Sequence, residues 1–219
     1  MRIKASNMKQ TLVLIAVIMI FSSVHLFGSY NLEYGIKGGL SLSKLNIYGD
    51  DASTYTSKYY KNVYVGLSFH YPFLEDMGIQ TGAFYTVKGL DQEWMENSTL
   101  NTANIKLEYL EVPLLLKYHF ASELKSTPYL LGGIYGAYLL SAKNTVSSQV
   151  TDIKRYFKKI DLGVSIGAGF DFTISGTFKV SLEGKYSFSI QDTHKIQDEV
   201  LENYHMKNRA FNFLLGFSF

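Results

Sequence analysis

Lys158-Lys159-Ile160-Asp161-Leu162-Gly163-Val164-Ser165-Ile166-Gly167-Ala168-Gly169-Phe170-Asp171-Phe172 decides the fold. Ile160, Leu162, Val164, Ile166, Ala168, Phe170 and Phe172 share one parity. Asp161, Gly163, Ser165, Gly167, Gly169 and Asp171 share the other. A period of two over a dozen residues suits a strand, whose side chains alternate between faces. The next segment repeats it: Phe178, Val180, Leu182, Gly184, Tyr186 and Phe188 alternate with Lys179, Ser181, Glu183, Lys185, Ser187 and Ser189. So do Phe211 to Phe219, Tyr34 to Leu42 and Val63 to Tyr71, with weaker versions over 78–88, 105–120 and 128–140.

Eight strands result, at about 31–43, 62–72, 78–88, 105–119, 127–140, 158–173, 177–190 and 208–219. The connections alternate strictly. Those at 44–61, 89–104, 141–157 and 191–207 are long; those at 73–77, 120–126 and 174–176 are short. An up-and-down meander gives this pattern when all long loops lie at one end. The predicted fold is therefore all-β: an eight-stranded antiparallel up-and-down transmembrane β-barrel, with short periplasmic turns and long outer loops.

A lipocalin-like soluble barrel would turn the apolar parity inward instead. Three features oppose that. The polar parity is rich in Gly and Ser, which suit a narrow interior. Aromatics gather near strand ends as interfacial girdles. Tyr71, Phe73, Tyr118, Phe120, Tyr129, Phe172, Phe178, Phe217 and Phe219 are assigned to the short-turn end, and Tyr85, Tyr109, Tyr138, Phe188 and Phe211 to the other. Finally, Phe219 closes an apolar row, as outer-membrane strands commonly end.

The N-terminus reads as an address. Arg2, Lys4 and Lys9 precede the apolar run Leu12–Phe21, and Ser22, Ser23, Gly28 and Ser29 follow. Ten apolar residues are too few for a helix across ~30 Å of hydrocarbon. The expectation is a cleaved signal peptide over 1–28 and a barrel domain over 29–219, delivered to the outer membrane. The other reading is an uncleaved anchor reaching to about Phe27.

Composition narrows the function. The chain has 219 residues and no Cys, which excludes disulfides, thiolate metal sites and Cys nucleophiles. From residue 29 onward, 18 basic residues face 19 acidic ones, with no basic stripe for nucleic acid.

Tyr109-Leu110-Glu111-Val112-Pro113-Leu114-Leu115-Leu116-Lys117-Tyr118 resembles the fourth-strand signature of PorT-like outer-membrane β-barrel proteins from Bacteroidota. Ile36–Ser43 resembles that family's opening strand, and Asp161–Gly169 its sixth. The resemblance implies an eight-stranded outer-membrane barrel. It also implies an association with type IX secretion, by analogy of fold. Pro113 cannot donate to a ladder, so a β-bulge is expected there, or else a break between two short strands.

The inward parity carries Glu33, Lys37, Lys88, Glu111, Lys117, Asp161, Asp171, Lys179, Glu183 and Lys185. Five acids against five bases imply a mutually paired lumen, because unpaired buried charge is strongly unfavourable. A selective pore would more often carry an excess of one sign. The expected role is a non-enzymatic structural or interaction component of the cell envelope, without catalytic residues, cofactor or metal. Its partners would be outer-membrane lipid and envelope or secretion proteins, met through the long loops. A small passive channel is one alternative. A lipid A- or peptide-modifying enzyme is another, resting on His194 and His205 near Asp192, Asp198, Glu199 and Glu202. In the long loops Tyr48, Tyr55, Tyr59, Tyr60, Trp94, Met95 and Tyr156 suit either partner binding or loop packing.

Overall fold

A computed structural model describes residues 32–48, 57–96, 99–121, 126–146, 149–194 and 205–219. The expected signal peptide lies outside the described residues, as do Tyr55, Asp198, Glu199 and Glu202. Eight long strands carry the chain: β1 (Glu33–Tyr48), β2 (Tyr60–Pro72), β3 (Met77–Glu96), β4 (Thr99–His119), β5 (Ser126–Val146), β6 (Ile160–Ser175), β7 (Phe178–Ser189) and β8 (His205–Ser218). Each pairs antiparallel with its neighbours in sequence. Pairing of β1 with β8 closes the ring, from Gly35 opposite Ser218 to Tyr48 opposite His205. A closed barrel leaves no edge, so every strand can satisfy its backbone without water.

The parities fall as the alternation requires. Ile36, Leu40, Leu67, Leu114, Ile134, Ile166, Leu182 and Phe213 are exposed on the outside. A continuous apolar girdle of this size is compatible with lipid and not with water. Ser41, Ser68, Ser165, Ser181, Ser187 and Asn212 are buried inside. The inner glycines make room for inner tyrosines. A Cβ on Gly169 would lie 2.5 Å from the Tyr129 ring, and one on Gly163 would lie 2.4 Å from the Tyr135 ring. Gly176, at φ 52°, supplies the left-handed residue of the tight β6–β7 turn.

Three kinds of expectation need correction. Tyr109 and Tyr129 are not girdle residues; both are buried in the lumen. Pro113 sits at no bulge. It stays in register opposite Tyr135, and the β3–β4 register is the same on either side of it. The ladder with β3 is interrupted there, and the Thr81 hydroxyl donates to the Pro113 carbonyl at 2.7 Å. The register shift in β4 falls instead at Glu108/Tyr109, where Leu140 of β5 is the extra residue. Nor are 89–104 and 141–157 open loops. β3 and β4 pair out to Glu96 and Thr99, and Gln149–Asp152 folds back on β5. A short 3-10 turn, Lys154–Tyr156, follows.

Apolar side chains gather at this outer end. Leu107, Leu139, Ala142 and Phe157 are buried together above Tyr109 and Tyr135, with Ile105, Ile153 and Tyr156 packed against them. The apolar lid thus comes from stretches whose sequence has little alternation.

The two faces of β6 should respond oppositely to substitution. Ile166→Arg, on the lipid face, should destabilise by about 2–4 kcal/mol in reversible unfolding from vesicles. Ile166→Leu should be nearly silent. Gly169→Leu should fail to fold, because its side chain would occupy the space of the Tyr129 ring. A tolerated Gly169→Leu would contradict the inward assignment.

Candidate functional site

All ten charges assigned to the inward parity are ion-paired along the lumen, in four groups stacked as a ladder. At the short-turn end Lys179 reaches Glu33 at 2.5 Å. Lys117 reaches Asp171 at 2.5 Å, and Lys37 reaches Glu183 at 2.6 Å. Nearer the outer end, Glu111 receives Lys88 at 3.2 Å and Lys185 at 3.5 Å. Lys88 also reaches Asp161 at 3.3 Å. Glu111 and Asp161 are each only 1% exposed. At such depth a lone charge would cost several kcal/mol, and only pairing plus further hydrogen bonds can offset that.

Those further bonds come from residues that parity alone did not single out. Tyr64 donates to Glu111 at 3.0 Å and accepts from Lys185 at 2.7 Å. Tyr129 and Gln80 donate to Glu183 at 3.1 and 3.2 Å. Ser189 and Asn208 donate to Asp161 at 2.6 and 3.0 Å. Aromatic faces cover the ammonium groups. Lys117 lies 3.8 Å from the Tyr129 ring centre, Lys185 4.2 Å from that of Tyr64, and Lys88 4.3 Å from that of Tyr135. Each of these three lysines has a carboxylate on one side and a ring face on another, which suits a cation removed from water. The signal was present in the sequence: Tyr109, Tyr129 and Tyr135 lie on the parity of Glu111 and Leu131 in the paired strands β4 and β5.

Two histidines complete the periplasmic end. His119 Nε2 lies 2.9 Å from Asp171, and His70 Nδ1 lies 3.4 Å from Glu33. The two rings meet edge to face at 5.6 Å.

Of the histidine site raised as an alternative at the outer end, Asp192 and His194 are described, whereas Asp198, Glu199 and Glu202 lie outside the described residues. His194 bridges to Phe157, and its ring packs edge to face on the Phe157 ring at 6.2 Å. Burial pushes its pKa below the usual value; Asp192 opposes that and Lys158 adds to it. The side chain of His205 lies outside the described ones. Among the described residues, no group of three His, Cys, Asp or Glu is placed to hold a metal. Of the loop aromatics, Tyr59 is exposed and Tyr156 joins the apolar lid.

Comparison with known proteins agrees with this architecture. The sequence matches the outer membrane protein beta-barrel domain family over residues 25–195.

The chain belongs to that family.

Among solved structures it is similar to Neisserial surface protein A (NspA), at TM-score 0.53 and 11% identity, covering 87% of this chain and 98% of that one. It is also similar to OprG from Pseudomonas aeruginosa, at TM-score 0.47 and 16% identity, covering 88% and 98%. A third is the outer membrane protease OmpT from Escherichia coli, at TM-score 0.42 and 11% identity, covering 88% and 98%. At these identities the likeness concerns the fold. Compared with curated proteins by sequence, the chain has no match. The protein is thus an outer-membrane β-barrel, and the girdle described above is its lipid contact.

Removing Glu111 tests the ladder. Glu111→Ala leaves Lys185 without its paired carboxylate and should destabilise by about 3–5 kcal/mol. Lys106→Ala should change stability by less than about 1 kcal/mol, because its 2.8 Å pair with Glu108 is 38% and 23% exposed. Urea unfolding of both variants in the same vesicles provides the comparison.

Proposed function

We propose that the protein is a non-enzymatic, non-conducting barrel that serves as a structural or interaction component of the cell envelope. The observation that carries this reading is the occupied lumen. Lysines 37, 88, 117 and 185 are each paired with a carboxylate inside it, and an apolar cluster is buried beside Tyr109 and Tyr135 toward its outer end. An ion entering would have to displace an existing partner at each level. Eight strands enclose an interior that side chains can fill, which supports the same conclusion.

The working surface is then the outer rim. There β3 and β4 continue as a paired ribbon, and Gln149–Asp152 adds an exposed segment beside β5. Partners are envelope proteins that meet this rim. The PorT-like signature on β4 favours a secretion apparatus of the type IX kind. The charged network is structural in this reading: its residues hold the barrel shut and hold the rim segments in place. Residues 1–28 act as a cleaved export signal.

Two measurements together test the proposal. Purified protein in planar bilayers should show no steady single-channel conductance. Crosslinking in native membranes should capture envelope proteins through the outer rim, and deletion of the rim ribbon should abolish that capture. A steady conductance that changes in Lys117→Gln or Glu183→Gln would overturn the closed-barrel reading in favour of the small channel. Loss of a lipid A or peptide modification in His194→Ala, with the barrel intact, would favour the enzyme.

A further inference from the structure

The periplasmic end of the lumen, its floor, holds three carboxylates, Glu33, Asp171 and Glu183, and three ammonium groups, Lys37, Lys117 and Lys179, in three ion pairs. These charges sum to zero before His70 and His119 are counted. The floor is therefore neutral only while both imidazoles are uncharged.

The surroundings are poorly suited to two more protons. The Asp171 oxygen that lies 2.9 Å from His119 Nε2 also takes the Lys117 ammonium, at 2.5 Å. A protonated His119 would compete with Lys117 for that one atom. Glu33 is shared in the same way, with Lys179 on one oxygen and His70 Nδ1 on the other. The far nitrogen of His70 is buried and has no hydrogen-bond partner among the described residues. It presses on the backbone of β3 at Gly78, where even a Cβ would collide with it. Uncharged, that nitrogen is an unfilled acceptor. Protonated, it is a buried donor with nothing to accept it, which costs more. The two rings are 5.6 Å apart, so two imidazoliums would also repel each other. The other polar groups facing the pair are committed. Tyr129 meets the His119 ring edge to face at 5.7 Å, but its hydroxyl donates to Glu183 and its face covers Lys117. Gln80 is held by Lys37 and Glu183. Glu75 and Asp76, in the β2–β3 turn, are exposed to water.

We propose that the floor is an acid-opened plug, which closes the periplasmic mouth while His70 and His119 are neutral and parts when both take a proton. The proposal rests on the closed-barrel reading above and adds its regulation. The ordinary histidine pKa of ~6.5 places the change between about pH 7.5 and 5.5, a range in which ordinary carboxylates and lysines keep their charge. Above it the six charges pair. Below it the imidazoliums draw Asp171 and Glu33 away from Lys117 and Lys179, those lysines turn to the water at the mouth, and water reaches as far as Ser68. The outer part of the ladder stays shut, because Glu111 and Asp161 are paired with lysines and with no imidazole.

The test is thiol accessibility in the full chain, folded in detergent micelles so that both ends meet the reagent. The chain has no cysteine, so single ones can be placed at will. Ser68→Cys lies on the inner face, two residues inward of His70; Ala142→Cys lies in the apolar cluster at the outer end; Ile174→Cys is exposed beside the β6–β7 turn. Rates with a small thiosulfonate are divided by that of Ile174→Cys at the same pH, which removes the titration of the thiol itself. From pH 7.5 to 5.5 the relative rate of Ser68→Cys should rise at least tenfold, and that of Ala142→Cys should stay within twofold. His70→Asn and His119→Gln keep an amide donor toward Glu33 and Asp171 but take up no proton. Because both protons are needed, either substitution alone should abolish the rise, so the reading does not depend on a double variant folding. His194→Gln and His205→Gln should leave the rise intact. A Ser68→Cys rate that stays slow at pH 5.5 would overturn the plug and leave the closed barrel standing. A rate already as fast as Ile174→Cys at pH 7.5 would overturn both. A rise that survives in His70→Asn or His119→Gln, that is lost in His194→Gln or His205→Gln, or that Ala142→Cys shares, would locate the response elsewhere and overturn the inference as well.

Discussion

The barrel depends on carboxylates and ammonium groups neutralising one another where water is excluded. Glu111 is the clearest case: two lysines and a tyrosine converge on it from three other strands. Lys88 comes from β3, Lys185 from β7 and Tyr64 from β2, so this one carboxylate ties β4 to strands well round the ring. Backbone ladders hold each strand to its neighbours, but they do not cross the lumen. The side-chain ladder does, and each of its members is costly unless the others are present. The lipid face makes the opposite demand. It must carry no charge at depth, and its leucines, isoleucines and phenylalanines meet hydrocarbon with little specificity. Specificity is therefore concentrated inside.

Much of this was legible in the chain. The alternation of 158–172 identifies strands, and the alternation of long and short connections orders them into a meander. Gly and Ser on one parity then tell inside from outside. What was not legible has physical reasons. Pro113 lacks an N–H, and a bulge is the usual remedy. Here an interrupted ladder with β3 and a hydroxyl from Thr81 serve instead, and neither leaves a local trace in sequence. Tyr109 and Tyr129 look like girdle residues by position along the strand, yet their parity turns them onto buried cations. Parity outranks position, because a side chain on the inner face has no route to the interface. The outer ribbons were missed because both of their faces are polar or mixed, so no alternation marks them as strands. His194 illustrates a further limit: its place against Phe157 depends on a contact between distant segments.

Seen together, the interior and the outer surface divide the work. The lumen is spent on cohesion, with an apolar lid over a polar ladder. Interaction is left to the exterior: an aromatic and apolar belt for lipid, and paired ribbons beyond it. Such a division suits a membrane component that presents a surface. In the proposed reading it passes no solute, because any wide path would dismantle the charge pairing that replaces hydration. The family assignment adds the compartment, since the outer membrane is where a closed barrel with an apolar exterior belongs.

The exclusion of water from the ladder is the central claim, and the chain's lack of cysteine makes it directly measurable. Ser165 is 0% exposed and shares a 2.8 Å hydroxyl contact with Ser187 in mid-lumen. Val150, on the outer rim, is 62% exposed. Single cysteines at these two positions, in folded protein in vesicles, can be treated with a small membrane-impermeant thiosulfonate and their labelling rates compared. A lumen sealed by paired charges leaves Ser165→Cys at least a hundredfold slower than Val150→Cys, with full labelling only after denaturation. Rates within tenfold of each other would show a water-filled path through the barrel and contradict the account.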